Sequence, residues 1–171
     1  IMQIPFLPRQ LSITDGLTIG IPAFFLALLP NAQRYVPGFL RRSLTFAIPA
    51  GLVVALSLTV FARVCLALGV PEEELRTGTT LIVGIIGIWV LSVLARPLTW
   101  VKALIVAAMV AGLLFVMTFP LTVEFFELVE PRAEALWWVG GISAVAIVLV
   151  EIIRAVQLRV VQRRALRRAT A

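Results

Sequence analysis

The sequence contains no histidine, a single cysteine at Cys65, and only 9 acidic residues in a chain of 171. One cysteine cannot support a disulfide framework, and a Cys/His metal cluster has no set of ligands to draw on. Charged residues make up 14% of the chain, against about 25% in an average soluble domain. With 61% hydrophobic residues and a mean hydropathy of +1.05, the composition excludes both a soluble globular enzyme and a disordered chain.

Five stretches of the chain are long and apolar enough to cross a bilayer, which takes about 20 residues. They cover residues 11–29, 43–70, 77–95, 103–123 and 135–153. A membrane span has to satisfy its own backbone hydrogen bonds, and a helix does so. The sequence therefore predicts an all-α fold, a polytopic transmembrane bundle of five spans, followed by a basic tail at 154–171.

The charged residues between the spans are shared unevenly by the two sides of the membrane. The acidic side, residues 1–10, 71–76 and 124–134, carries three arginines and seven glutamates, namely Arg9, Arg76, Arg132, Glu72, Glu73, Glu74, Glu124, Glu127, Glu130 and Glu134. The basic side, residues 30–42, 96–102 and 154–171, carries eleven cations, namely Arg34, Arg41, Arg42, Arg96, Lys102, Arg154, Arg159, Arg163, Arg164, Arg167 and Arg168. An excess of Lys and Arg marks cytoplasmic loops. We therefore expect a multi-pass membrane protein with its N-terminal end outside and its C-terminus cytoplasmic.

The net charge of +6 has the same explanation. In a soluble chain it would suggest nucleic acid, but in a membrane chain it reports topology, so the expected partner is the lipid bilayer and not a nucleic acid. The tail is expected to be a helix that anchors the chain on the cytoplasmic side, with specific sensing of anionic lipid as the alternative. The start at Ile1 is unlike a natural one, and we expect a fragment of a longer chain.

Asp15 is the main candidate for chemistry, because a carboxylate inside an apolar span is costly and usually marks function. Helical spacing brings Ser12, Asp15 and Thr18 close to one face. Glycine and proline in the same span (Gly16, Gly20, Pro22) are expected to loosen the helix and free backbone carbonyls. Such an all-oxygen set suits Ca²⁺, Mg²⁺ or Mn²⁺.

The alternative is that Asp15 caps a helix or is merely solvated near the end of its span. A helix from Asp15 to Leu29 would have only 15 residues, which is short for a crossing. Arg63 is expected to anchor the second span by reaching the interface. Glu151 is expected to pair with Arg154 on its own helix.

Small residues in the spans are interpreted as sites of close helix packing. They are Gly84 with Gly87, the pair Gly140 and Gly141, and the group Ala107, Ala108, Ala111 and Gly112. A phosphate loop at Thr77–Thr80 is rejected, because no lysine follows.

Several segments together resemble the C-terminal half of the membrane domain of P-type cation ATPases. Thr14-Asp15-Gly16, approached through Pro5-Phe6-Leu7-Pro8, resembles their sixth membrane helix, and the run from Leu17 to Leu28 looks like the bacterial, largely actinobacterial, group called cation-transporting ATPase E. The continuation Pro37–Arg42 looks like that group's loop between helices six and seven. Weaker similarities follow at Arg76–Leu81, for the start of helix eight, and at Glu151–Arg154, for the end of helix ten.

The resemblance implies the membrane part of an ATP-driven divalent cation pump of the bacterial inner membrane, with Ca²⁺ first and Mg²⁺ or Mn²⁺ as alternatives. In such pumps an Asp-Lys-Thr-Gly-Thr loop takes phosphate from ATP, with Mg²⁺, and this motif is not in the sequence. The chain alone is therefore expected to be non-catalytic and to work with upstream helices and cytoplasmic domains of its parent. Asp15 matches the family's helix-six carboxylate and Thr14 its neighbour as metal ligands, with Ser12 and Thr18 as further candidates.

Two departures from the family pattern suggest one ion per cycle. Calcium-pump members carry asparagine four residues before the aspartate, where this chain has Leu11, and the third span has no acid. Two other readings of the sequence stay open: half of a secondary transporter, in which broken helices also carry ions, or a structural membrane subunit. The structural subunit predicts that Asp15 faces water or headgroups.

Overall fold

The computed structural model describes residues 8–28, 39–97 and 99–169, with side chains at 10–28, 43–97 and 99–159. The elements there are α1 Pro8–Asp15, a π-helical turn Gly16–Gly20, α2 Ile21–Leu28, α3 Phe39–Leu68, α4 Glu72–Ala95, α5 Trp100–Thr118, α6 Pro120–Phe125 and α7 Ala133–Ala169. Five segments are long and apolar enough to cross a membrane: Gln10–Leu28, Ser43–Leu68, Glu72–Ala95, Trp100–Thr118 and Ala133–Arg159. The predicted all-α fold with five spans is confirmed.

Helix α4 is the centre of the bundle. In its most apolar window 61% of the residues are buried, against 17–22% in the other four spans. It contacts α3, α5, α7 and the first span. Its approach to α3 is close because Gly78 has no side chain: a Cβ there would lie 2.4 Å from Cζ of the fully buried Phe61. Small residues at such crossings let helices gain packing contacts that drive association in lipid.

Two ion pairs link the ends of α4 and α7, one through Arg132, the residue directly before α7, and one through Arg96, the residue directly after α4. At the acidic end, Nε of Arg132 lies 3.2 Å from Oε1 of Glu74. At the basic end, Arg96 donates to both carboxylate oxygens of Glu151, at 2.7 and 3.3 Å. The two helices therefore run parallel. Among the described side chains Glu151 pairs with Arg96 and not with Arg154, so the expected local pair was wrong.

The helix bounds differ from the apolar stretches, most clearly at the end of α5 and at the start of α4. The fourth span was expected to reach residue 123, but α5 ends at Thr118, because Pro120 disfavours helical backbone at Phe119, which is extended (φ −82°, ψ 121°). Helix α4 starts at Glu72, before the apolar run, since three glutamates occupy its first turn near the positive end of the helix dipole. Helix α7 continues without a break through the basic tail to Ala169.

The small-residue interpretations have mixed outcomes. Gly84 faces Leu113, Gly87 faces Thr18, and Gly112 faces Leu17, all closely. By contrast, Gly140 and Gly141 are exposed, and a Cβ added at either would meet no described atom within 4 Å. The prediction of close helix packing at these two glycines was therefore wrong. The proline approach before Pro8, the loop 34–38 and the arginine side chains beyond 159 lie outside the described residues.

Candidate functional site

The first span changes helix type immediately after its carboxylate. Helix α1 ends at Asp15 and the π turn runs from Gly16 to Gly20, with the Ile21 N–H donating to the Gly16 carbonyl five residues back. Two glycines bound this turn, and glycine lowers the cost of departing from α geometry. Pro22 follows and has no N–H to complete the α pattern. Single π turns inside α-helices occur frequently at functional sites.

Asp15 and Thr14 face different surroundings. Asp15 is exposed on the surface of the described helices, as is Ser12. Thr14 is 5% exposed and its hydroxyl donates to the Gln10 carbonyl at 3.2 Å. Asp15 lies within a continuous helical segment that starts at Pro8, so it does not cap the span. An exposed Asp15 is what the structural-subunit interpretation predicts. A site completed by helices outside this chain would leave Asp15 exposed here as well.

Thr18 lies in the middle of the π turn and faces α4. Its hydroxyl donates to the Thr14 carbonyl at 2.6 Å. Its methyl carbon would lie 2.6 Å from a Cβ built on Gly87. The neighbouring Leu17 is equally close to α5, 2.8 Å from a Cβ on Gly112. The π turn therefore packs against one glycine in each of two neighbouring helices, Gly87 in α4 and Gly112 in α5.

The described residues offer one carboxylate at this place. No group of three or more acidic, histidine or cysteine side chains in the described ranges gathers into a potential metal site. A cation at Asp15 would take hydroxyl and backbone oxygens from the same span, as hard cations do.

The acidic end of the first span is joined to a distant loop, a connection that sequence reasoning missed. Gln10, fully buried, donates its Nε2 to the Phe126 carbonyl at 3.2 Å. The same loop is bound to α4: the Val129 N–H donates to Oγ1 of Thr77 at 3.0 Å, and the Arg132 N–H donates to Oε2 of Glu74 at 3.1 Å. The sequence signal that could have identified Gln10 is a polar amide side chain directly before an apolar run.

A cavity of about 410 Å³ opens beside this loop. Three carboxylates line it, those of Glu73, Glu124 and Glu127, together with the Arg76 guanidinium, which is paired with Glu72. The three carboxylates outnumber the one guanidinium, so the residues that line the cavity carry a net negative charge. The clustering agrees with the acidic side defined from the sequence.

Comparison with known proteins identifies several relatives of the chain. It is 35% identical over 160 residues to the calcium-transporting ATPase CtpE of Mycolicibacterium smegmatis, covering 91% of this chain and 20% of the relative. The CtpE of Mycobacterium bovis is 34% identical over 158 residues, covering 79% of this chain and 20% of the relative. A probable cation-transporting ATPase of Streptococcus pneumoniae, exp7, is 28% identical over 128 residues, covering 75% and 16%.

No family model and no solved structure matches the chain. The chain spans about a fifth of the length of the curated relatives it matches. Its five spans and this similarity agree with each other, since both describe a multi-pass membrane region. The chain is homologous to the C-terminal fifth of the mycobacterial calcium-transporting P-type ATPases.

Proposed function

We propose that the chain is the C-terminal membrane part of an ATP-driven divalent cation pump, with Ca²⁺ as the transported ion. The observation that carries the proposal is the 35% identity to a calcium-transporting ATPase across 91% of the chain. Since the chain spans a fifth of that relative, ATP binding and phosphorylation, which use ATP and Mg²⁺, belong to the remainder of the parent protein. The chain alone would hydrolyse no ATP.

In the proposed site Asp15 supplies the negative charge and Thr14 an oxygen, with Ser12 and Thr18 as further oxygen candidates. Two observations support this. An ionised carboxylate in an apolar span has to be offset by a partner, and a cation is one. The π turn begins at the next residue, Gly16, and interrupted membrane helices present carbonyl oxygens to ions. Mg²⁺ and Mn²⁺ prefer the same oxygen ligands and are the alternative cargo.

The exposed position of Asp15 fits a site that other parts of the parent chain complete. Upstream helices that cover this face would supply the missing ligands and remove the carboxylate from lipid. Transport would then follow alternating access: phosphorylation in the cytoplasmic domains favours one helix arrangement in which the oxygens converge on the cation, and another in which they separate. The acidic side would face outward and the basic side the cytoplasm.

The test uses the full-length parent protein and Asp15→Asn, which keeps the shape of the side chain and removes its charge. We expect the variant to lose Ca²⁺-stimulated phosphorylation from ATP. The matched control is Glu134→Gln, an exposed carboxylate in the first turn of α7, which should retain it. Unchanged stimulation in Asp15→Asn would overturn the site and favour a structural role, and a parent chain without ATP dependence would favour a secondary transporter.

A further inference from the structure

We propose that Gly87 is a positioning residue for the cation site, because the contact of its bare Cα with the Thr18 methyl fixes the π turn that follows Asp15. This inference rests on the function proposed for Asp15. It adds a residue of another span, with no ligand atom in its side chain, to the determinants of cation affinity.

The first step is that the π turn contacts α4 through a stiff side chain, that of Thr18 at Gly87. An added Cβ at Gly16 would meet no described atom within 4 Å, and one at Gly20 would meet only the Asp15 carbonyl, at 3.7 Å. Two residues of the turn closely approach glycines of neighbouring helices, Leu17 at Gly112 and Thr18 at Gly87. Leu17 also packs against a buried apolar cluster of α4 and α5, formed by Ile88, Leu91, Met109 and Leu113. Leucine can swing its terminal methyl groups, whereas the β-branched threonine is stiff at χ1. The Thr18 contact is therefore the more rigid of the two.

The second step is that the register of the π turn sets the direction of Asp15. A π turn contains one residue more than an α turn. If the extra residue were lost, the helix on one side would rotate relative to the other by about 100°, the angle per residue in an α-helix. Asp15 is the residue directly before the turn, so it would take that rotation in full.

The third step is a direct link from Thr18 back to the site. The Thr18 hydroxyl donates to the Thr14 carbonyl at 2.6 Å, so the residue seated on Gly87 also bonds the backbone next to Asp15. A side chain at position 87 would meet Cγ2 of Thr18 at 2.6 Å, its Cβ at 3.0 Å and its Oγ1 at 3.5 Å. Part of the turn would have to move away from α4 to relieve the first two distances.

The experiment measures the Ca²⁺ concentration for half-maximal phosphorylation of the full-length protein by ATP, together with the maximal phosphorylation at saturating Ca²⁺. Gly87→Ala should raise the half-maximal concentration about tenfold, since overpacking of this size shifts an equilibrium by about that factor, and leave the maximum per folded molecule unchanged. Adding Thr18→Ser removes the clashing methyl, keeps the hydroxyl and should restore affinity to within about threefold of the native protein. The control is Gly112→Ala, whose Cβ would meet the movable tip of Leu17 and which should stay within about threefold.

Thr18→Ser alone keeps the experiment decisive where Gly87→Ala fails to fold. It abolishes the methyl contact without adding an atom, and we expect the half-maximal concentration to rise about threefold. A native value for Thr18→Ser, a native value for Gly87→Ala, or a double variant as weak as Gly87→Ala would each overturn the inference. Asp15→Asn in the same assay separates the two claims: if it loses the Ca²⁺ response while Gly87→Ala keeps native affinity, the positioning role alone is wrong. If Asp15→Asn keeps the response, the proposed site is wrong, and the positioning role is wrong with it.

Discussion

Arg96 and Glu151 form a bidentate ion pair that joins the end of α4 to α7, with Nη2 of Arg96 2.7 Å from Oε1 of Glu151 and Nη1 3.3 Å from Oε2. The residues are 55 positions apart in sequence. Both side chains are about one-third exposed, so solvent screens the pair in part. Its two parallel hydrogen bonds give it more directional preference than a single contact.

We expect Arg96→Gln and Glu151→Gln each to lower the stability of the bundle, with a coupling free energy of about 0.5–1 kcal/mol in a double-mutant cycle. Thermal unfolding in detergent measures it. Arg96→Lys should recover only part of the coupling, because an ammonium group cannot bond both oxygens in the same planar geometry. Strictly additive single effects would contradict the pairing.

A second prediction concerns the crossing of α3 and α4. Gly78→Ala would place a Cβ 2.4 and 2.6 Å from two ring carbons of Phe61, so the variant should lose about 1–3 kcal/mol of stability. Phe61→Leu in the same chain should recover part of the loss by making room. The matched control is Gly51→Ala, where an added Cβ meets no described atom within 4 Å. A loss as large at Gly51 as at Gly78 would show that the cost lies in the backbone and not in packing.

The loop on the acidic side gives a third prediction. Thr77→Val removes the hydroxyl that accepts from the Val129 N–H, and Glu74→Ala removes the carboxylate that accepts from the Arg132 N–H. Each change leaves a backbone donor without its partner, at a cost of about 1–3 kcal/mol where the donor stays buried. Amide hydrogen exchange should quicken at position 129 in the first variant and at position 132 in the second. Unchanged exchange at both positions would mean that these bonds do not hold the loop.

The orientation proposed for the chain makes a fourth prediction. The native Cys65 is buried, 1% exposed, and should react slowly with a membrane-impermeant thiol reagent. Glu134→Cys, in the exposed first turn of α7, should be labelled from outside intact cells. Thr170→Cys, at the end of the basic tail, should be labelled only after the membrane is opened. The reverse pattern would contradict the orientation given by the positive-inside rule.

The number and type of the spans could be predicted from sequence, because hydropathy over about 20 residues reports the length of a crossing. The ends of the helices could not be predicted as well. Hydropathy continues through Phe119 and Pro120, whereas the backbone breaks there for steric reasons. The ion-pair partner of Glu151 could not be predicted from the sequence either. Local helical spacing favoured Arg154, whereas the fold brings Arg96 to Glu151.

The candidate site, too, could be predicted from the sequence only in part. An aspartate in an apolar span with glycines and a proline after it can be recognised from the residue types alone. The π register, the contact of Thr18 with Gly87 and the bond from Gln10 to Phe126 depend on how separate helices meet. Gly87 was identified from sequence as a packing residue, but the residue it faces could not be.

The central claim is that Asp15 is a cation ligand, and equilibrium binding of radioactive Ca²⁺ to the purified full-length protein tests it most directly. Asp15→Asn should weaken binding at least about tenfold, since a carboxylate bond to a hard cation is lost. Glu134→Gln should bind as the native protein does. Native binding by Asp15→Asn would contradict the claim.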